Sequence, residues 1–217
     1  MSSPAFVYTE LDVSVPFASA PWSDFGSAIA QQPGFLNKTW LAGAGNHSLG
    51  GFCAFDSVEN AEAFASEYLP TAAKALGVPQ TSRVFEGAPV AEASRDMNSV
   101  HFGGELEQTP GAFVYTEVRT NVPFDQSPWR EANPMLKEQP GFLGKTWLSC
   151  LNNSSLGGFY AFDTVENARE FAVSYFPSKA SKLSAGFSTR VFDAHAVGEA
   201  SQKLNSPFFA ETATVSS

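Results

Sequence analysis

Few side chains in this sequence suit acid–base chemistry, and one pair stands out. Asn46-His47 follows Trp40 closely within the stretch 32–52. Histidine is the side chain best suited to take up a proton near neutral pH. Asparagine and tryptophan N–H groups can hold an oxygen atom that gains negative charge. His47, Trp40 and Asn46 are therefore the candidate catalytic residues. The competing reading is structural: asparagine tolerates a left-handed backbone and favours turns, and tryptophan packs cores as readily as it walls pockets. Tyr8, Glu10, Phe35, Phe52, Tyr68, Tyr115, Trp147, Asn153 and Tyr175 form the expected substrate-contacting set. Glu10 and Glu117 share strand parity with Tyr8 and Tyr115. Facing inward, such a carboxylate would be a base with a raised pKa; at a strand end it would be an ordinary surface group. The three histidines, His47, His101 and His195, are scattered without ligand spacing, so no metal is expected. No glycine-rich phosphate loop, dinucleotide fingerprint or nucleophile elbow occurs, so no cofactor is expected either.

These residues are positioned by a stretch written twice. Pro33-Gly34-Phe35-Leu36, Lys38-Thr39-Trp40-Leu41, Asn46 and Leu49-Gly50-Gly51-Phe52 each recur 107 positions later, as with Pro33 and Pro140 or Gly51 and Gly158. A period of that length is a domain duplication, since solenoid repeats run to roughly 20–50 residues. The 217 residues divide into a first domain over 1–98, a linker over 99–111, a second domain over 112–209 and a flexible tail over 210–217. Modules of roughly 100 residues can bury modest cores of their own.

Within each copy the periodicity alternates between strand and helix. Aromatic and β-branched residues over 6–13 predict a strand. Pro21 suits the first turn of a helix, whose apolar stripe is Trp22, Phe25 and Ile29 and which Pro33-Gly34 ends. Strands follow over 35–41 and 49–55, the latter with Gly50-Gly51 inside it. Asp56 is the expected cap of a second helix, with Glu59 completing a capping box. Pro70 should kink or break that helix one turn back, and a strand over 81–85 closes the unit. The second copy repeats every element, with Ser127 as a helix cap and Asp163 with Glu166 as the box. The order β-α-β-β-α-β is ferredoxin-like, so the fold class is α+β, with two such domains paired.

Composition excludes several functions. Net charge is −9, and no Lys/Arg cluster is present, so neither nucleic acid nor an anionic membrane is an expected partner. No signal-peptide pattern and no membrane-length apolar run occurs. Cys53 and Cys150 do not correspond across the repeat and read as thiols of a reduced, cytoplasmic protein.

The motif Pro-Gly-Phe-Leu-x-Lys-x-Trp, followed by Asn46-His47, Gly50-Gly51 and an aromatic strand, resembles the YdhR-type monooxygenase family of dimeric α/β barrels. Each half of the chain resembles one whole subunit of that family. The resemblance implies that the two sheets pair back to back, so that one chain is a monomeric pseudo-dimer, with higher oligomers left open. It also implies a pocket between sheet and helices in each half. The function expected is that of a small cofactor-independent monooxygenase acting on an aromatic or polyketide-like metabolite, with molecular oxygen as co-substrate. A cofactor-free isomerase or cyclase, or a non-catalytic binder of hydrophobic ligands, would use the same pocket. The copies differ at His47 and Ser154, and at Cys53 and Tyr160. The first half is therefore expected to carry the chemistry while the second completes the barrel.

Overall fold

A computed structural model describes residues 3–120, 122–151, 153 and 155–210. Ser154 and positions 211–217 of the tail lie outside the described residues. The first half runs β1 (Ala5–Leu11), α1 (Trp22–Ala30), β2 (Phe35–Ala42), β3 (Leu49–Phe55), α2 (Val58–Ala63), α3 (Leu69–Leu76) and β4 (Gln80–Glu86). A short helix α4 (Ala91–Asp96) follows. The second half repeats this as β5 (Ala112–Arg119), α5 (Trp129–Lys137), β6 (Phe142–Ser149), β7 (Ser155–Phe162), α6 (Val165–Glu170), α7 (Phe176–Ala180), β8 (Phe187–Asp193) and α8 (Gly198–Gln202). The sheets have strand orders β2-β3-β1-β4 and β6-β7-β5-β8, antiparallel throughout. Both halves are thus ferredoxin-like α+β units.

Alternation within the strands gives each sheet two apolar faces. One faces its own helices: Val7, Cys53, Phe55 and Val84 pack with Ile29, Ala61, Phe64 and Leu69. The other faces the second sheet. There Phe6, Tyr8, Phe52 and Phe85 meet Phe113, Tyr115, Phe159 and Phe192 in one shared core. Phe52 stacks on Phe159 with centroids 4.5 Å apart, and Tyr8 on Tyr115 at 3.8 Å. Such ring pairs contribute about 0.5–1.5 kcal/mol each beyond the area they bury.

Backbone contacts close the two sheets into a barrel. Gly43 bridges Phe192, and Cys150 bridges Phe85. Beside them the Ala44 N–H donates to the Val191 carbonyl and the Leu151 N–H to the Val84 carbonyl, both at 3.0 Å. The remaining edge of β2 and β6 is covered by the other half's C-terminal extension. The Trp147 N–H donates to Ser94 Oγ and the Trp40 N–H to Ser201 Oγ, both at 2.9 Å. Lys145 N–H donates to the Met97 carbonyl and Lys38 N–H to that of Leu204. Covering an edge strand in this way removes a template for aggregation. The stretch 94–99, where the first domain runs into the expected linker over 99–111, is ordered because its backbone and serines satisfy a strand edge that no local pattern reveals.

Local details correct several expectations. The second helix is capped by Ser57, whose hydroxyl accepts the Asn60 N–H, and not by Asp56; Asp56 instead accepts from the Asn60 side chain at 2.7 Å. Thr164 likewise takes the place expected of Asp163. Pro21 and Pro128 sit one residue before their helices, and Ser127 makes no capping bond. The break before Pro70 is a π-turn, Phe64–Tyr68, in which the Leu69 N–H reaches back five residues to the Phe64 carbonyl. Proline leaves the preceding turn without a donor, and the wider turn absorbs the mismatch. Phe171–Tyr175 repeats it before Pro177. Gly34 and Gly141 take φ of +68° and +71° at the helix-to-strand turns, where glycine is unstrained.

His101 lies where the second copy has Phe208. Its ring meets Phe6, Phe52 and Phe208 at 5.1–5.5 Å, and its Nε2 has no hydrogen-bond partner. Burial pushes its pKa down to about 3. The unfolded chain binds this proton near pH 6.5, so stability is complete above that value and falls as pH drops towards 3. His101→Phe should remove this loss, worth a few kcal/mol at about 1.4 kcal/mol per pKa unit. Denaturant midpoints measured from pH 7 to pH 4 check it; equal acid sensitivity in both proteins would contradict the burial argument.

Candidate functional site

Tyr175 lines a concave region of about 440 Å³ in the second half, with Gln139 and Asn167; two further regions concern more of the expected site residues. The first is a cleft of about 510 Å³ at the barrel mouth, between the halves. Tyr8, Glu10, Asn46, Tyr115 and Glu117 line it, together with Arg83 and Arg190. The phenol of Tyr8 donates to Glu10, and that of Tyr115 to Glu117. Ion pairs cross between the halves: Arg190 Nε lies 3.2 Å from Glu10, and Arg83 Nε 3.5 Å from Glu117. Asn153 Nδ2 reaches Glu117 at 3.5 Å. Burial first, and then the adjacent carboxylates, hold both phenols protonated well above their usual range. Every carboxylate and guanidinium in this pseudo-symmetric set already has a partner, which is the pattern of a closure clamp.

The second region is an apolar cavity of about 220 Å³ in the first half. It lies between the sheet and helices α1 and α3, under the segment 11–22. Phe17, Trp22, Phe25, Trp40, Tyr68 and Leu69 form much of its wall. One lysine also lines it. Lys38 is buried, and its Nζ sits 4.0 Å from the centroid of the Trp40 ring. The cause is local. A bulge at Phe35–Asn37 shifts β2 so that Lys38 pairs with Cys53, whose side chain belongs to the helix-facing core. Lysine on that face is withdrawn from bulk water, and Gly51 leaves the room for its ammonium end; a Cβ there would meet Nζ at 2.4 Å.

Burial lowers the Lys38 pKa, partly opposed by the hydrogen-bonded Cys53 thiol. The Trp40 face also favours the charged form, by about 0.5–2 kcal/mol, less than the several kcal/mol that desolvating an ion costs. The amine is thereby shifted towards its neutral, nucleophilic form. Burial raises the Cys53 thiol, so it remains protonated.

The second half packs a tyrosine ring against the corresponding lysine. Lys145 is equally buried, and burial lowers its pKa well below the usual lysine value. Tyr160 stands where the first half has Cys53, and its ring lies 4.7 Å from Lys145 Nζ. Asn133 stands where the first half has Gly26, and its Oδ1 accepts the Trp147 indole N–H at 2.9 Å. The Trp40 indole N–H has no partner. Two substitutions thus change what surrounds the buried lysine and the tryptophan indole in the two halves.

The expected residues are scattered by this geometry. Trp40 and Tyr68 reach the cavity, while Tyr8, Glu10, Asn46 and Tyr115 reach the mouth. Phe52 lies in the shared core and Phe35 packs edge-on to Phe55 on the helix side. Trp147 and Tyr175 belong to the second half's own core. Asn46 accepts the Ser48 N–H in an exposed turn, and His47 adopts φ +54° there, exposed and lining neither cavity. Lys38 is absent from the expected site residues, although a lysine repeated at one strand position, two residues before a tryptophan, is its signal in the sequence. Among the described residues no group of three or more His, Cys, Asp or Glu side chains could hold a metal ion, and no helix is long and apolar enough to cross a membrane.

No family model matches the chain, and no curated protein matches it significantly. Solved structures do. An anthrone oxidase-like protein matches with TM-score 0.56 at 16% identity, over 89% of this chain and 93% of that one. A candidate monooxygenase from Lactobacillus acidophilus NCFM gives 0.51 at 8%, over 88% and 93%. A mutant chlorite dismutase from Candidatus Nitrospira defluvii, in complex with cyanide, gives 0.52 at 11%, over 95% of each. Identities this low establish the fold alone. The chain is a ferredoxin-like α+β pseudo-dimer, of a fold shared with an oxidase-like protein and a candidate monooxygenase.

A buried lysine with a depressed pKa makes folding favour proton release, so native stability should rise with pH up to the ordinary lysine value of about 10.5. Lys38→Met should therefore stabilise the protein at pH 6, on the order of 1–3 kcal/mol, with the gain shrinking towards pH 10. Urea unfolding at the two pH values tests this. A loss of stability of the same size at both would mean that the lysine is held by contacts that outweigh its burial.

Proposed function

We propose that the first-half cavity is the active site of a cofactor-independent monooxygenase-like enzyme for a flat aromatic or polyketide-like molecule. The observation that carries this reading is the Lys38 amine, its pKa lowered by burial, lining an apolar, aromatic-walled cavity. At about 220 Å³ the cavity is below the roughly 300 Å³ at which sites for drug-sized ligands begin. It therefore accepts one end of such a substrate, with the remainder in the opening beneath the segment 11–22. Desolvation makes the Lys38 lone pair available either to take an acidic proton or to add to a carbonyl. Either route leaves an electron-rich carbon that can reduce dioxygen. For a ring methylene the balance is CH2 + O2 → C=O + H2O: one oxygen atom enters the product and the other leaves as water, carrying the two hydrogens. The Trp40 indole N–H, lacking a protein partner, is a donor for an oxygen atom in the bound molecule.

An oxygen electrode with an anthrone as substrate tests the proposal. One O2 should be consumed per molecule converted, with no nicotinamide added. Lys38→Met should lose at least about 100-fold in rate, in the range typical of removing a proton-transfer group, and His47→Ala should keep full activity. Conversion under nitrogen would favour the isomerase or cyclase reading. Tight binding without conversion across a panel of flat phenols would favour a carrier of hydrophobic ligands. Full activity in Lys38→Met would remove the cavity from the mechanism.

A further inference from the structure

We infer that Lys38 forms a covalent imine with an aldehyde or ketone that enters the first-half cavity, so that the ligand class includes carbonyl compounds with a flat apolar body. This rests on the reading of that cavity as the binding site and adds the bond by which the ligand is held. Three observations converge on it. The Lys38 side chain reaches an apolar cavity and carries its amine against the Trp40 ring, beside Cys53. Its wall of Phe17, Trp22, Phe25 and Leu69 suits the carbon body of a carbonyl compound and excludes the water that would hydrolyse an imine. The equivalent Lys145 is covered by the Trp147 and Tyr160 rings and serves as an internal control. Burial shifts Lys38 towards the free amine, whereas an ordinary lysine is unprotonated in only about one molecule in 3,000 at pH 7. The other lysines, Lys74, Lys137, Lys179, Lys182 and Lys203, are exposed.

The step balances without an oxidant. The Nζ lone pair forms the N–C bond, and the carbonyl π electrons move to oxygen. The two protons of the amine then leave with that oxygen as water, giving the C=N bond. Water returning to the carbon reverses the sequence and frees the ligand.

Benzaldehyde with cyanoborohydride at pH 7 is the test, because reduction fixes an imine as a stable benzyl amine. Peptide mass spectrometry should place the adduct on Lys38 at least 10-fold ahead of any exposed lysine, with Lys145 unmodified. Lys38→Met should abolish the fast adduct. Cys53→Tyr, which copies the second half's covering ring and keeps Lys38, should slow it at least 10-fold. Displacement of anilinonaphthalene sulfonate by benzaldehyde reports cavity occupancy separately. Displacement without an adduct on Lys38 would overturn the imine and leave the cavity reading standing; neither displacement nor adduct would overturn both. Equal labelling of all exposed lysines, with Lys38 spared, would also reject the inference.

Discussion

Everything in this molecule depends on two aromatic sheet faces that must cover one another. Phe6, Phe52 and Phe85 on one sheet and Phe113, Phe159 and Phe192 on the other are essentially inaccessible to solvent. Neither sheet could expose such a face to water at about 25 cal/mol per Å² without losing its stability. Joining both sheets in one chain makes their association intramolecular, with an effective concentration that no dilution removes. The bridges at Gly43–Phe192 and Phe85–Cys150, the crossed pairs Arg190–Glu10 and Arg83–Glu117, and the exchanged serine caps all follow from that closure.

Closure by both halves also leaves each half free to differ where the barrel does not need it. The helix-facing side of each sheet carries a buried lysine beneath a tryptophan. In the second half a tyrosine ring and an asparagine amide complete the packing around that pair. In the first half cysteine and glycine stand at those positions, the Trp40 indole N–H has no partner, and an apolar cavity lies beside the lysine. A core built for stability alone would not leave a buried indole N–H unsatisfied beside an apolar cavity, since both cost free energy. Burial lowers the lysine pKa in both halves; the unpaired indole beside an apolar cavity is what gives the first half a chemical identity.

Much of the architecture was legible because it is local. The β-α-β-β-α-β order followed from period-2 and 3.6-residue patterns, the strand Leu49–Phe55 was read with its full extent, and Pro70 marked the turn that widens before it. Cap identities slipped by one residue, because Asp56 and Ser57 are both good capping types and only backbone geometry separates them. The site was less legible. Trp40 and Tyr68, expected from residue type, line the cavity, whereas His47, expected because imidazole suits proton transfer, lies in an exposed turn that its neighbour Asn46 stabilises. Lys38 escaped because lysine is ordinarily a surface residue, and its burial depends on a bulge at Phe35–Asn37. The contrast of Gly26 with Asn133 acquires meaning only when the Trp147 indole is seen to need a partner. The edge covering by 94–99 and 201–206 is a contact between distant segments, which no periodicity encodes.

The central claim is that one half of a nearly symmetric barrel holds an open site and the other a filled one. The tryptophan indole N–H resonances of isotope-labelled protein, followed by heteronuclear NMR during titration with anilinonaphthalene sulfonate, test it directly. The account predicts that Trp40 and Trp22 shift and saturate together at one ligand per chain, while Trp147, bonded to Asn133, and its neighbour Trp129 stay in place. Equal shifts of Trp40 and Trp147 with two ligands per chain, or movement of Trp147 alone, would contradict it.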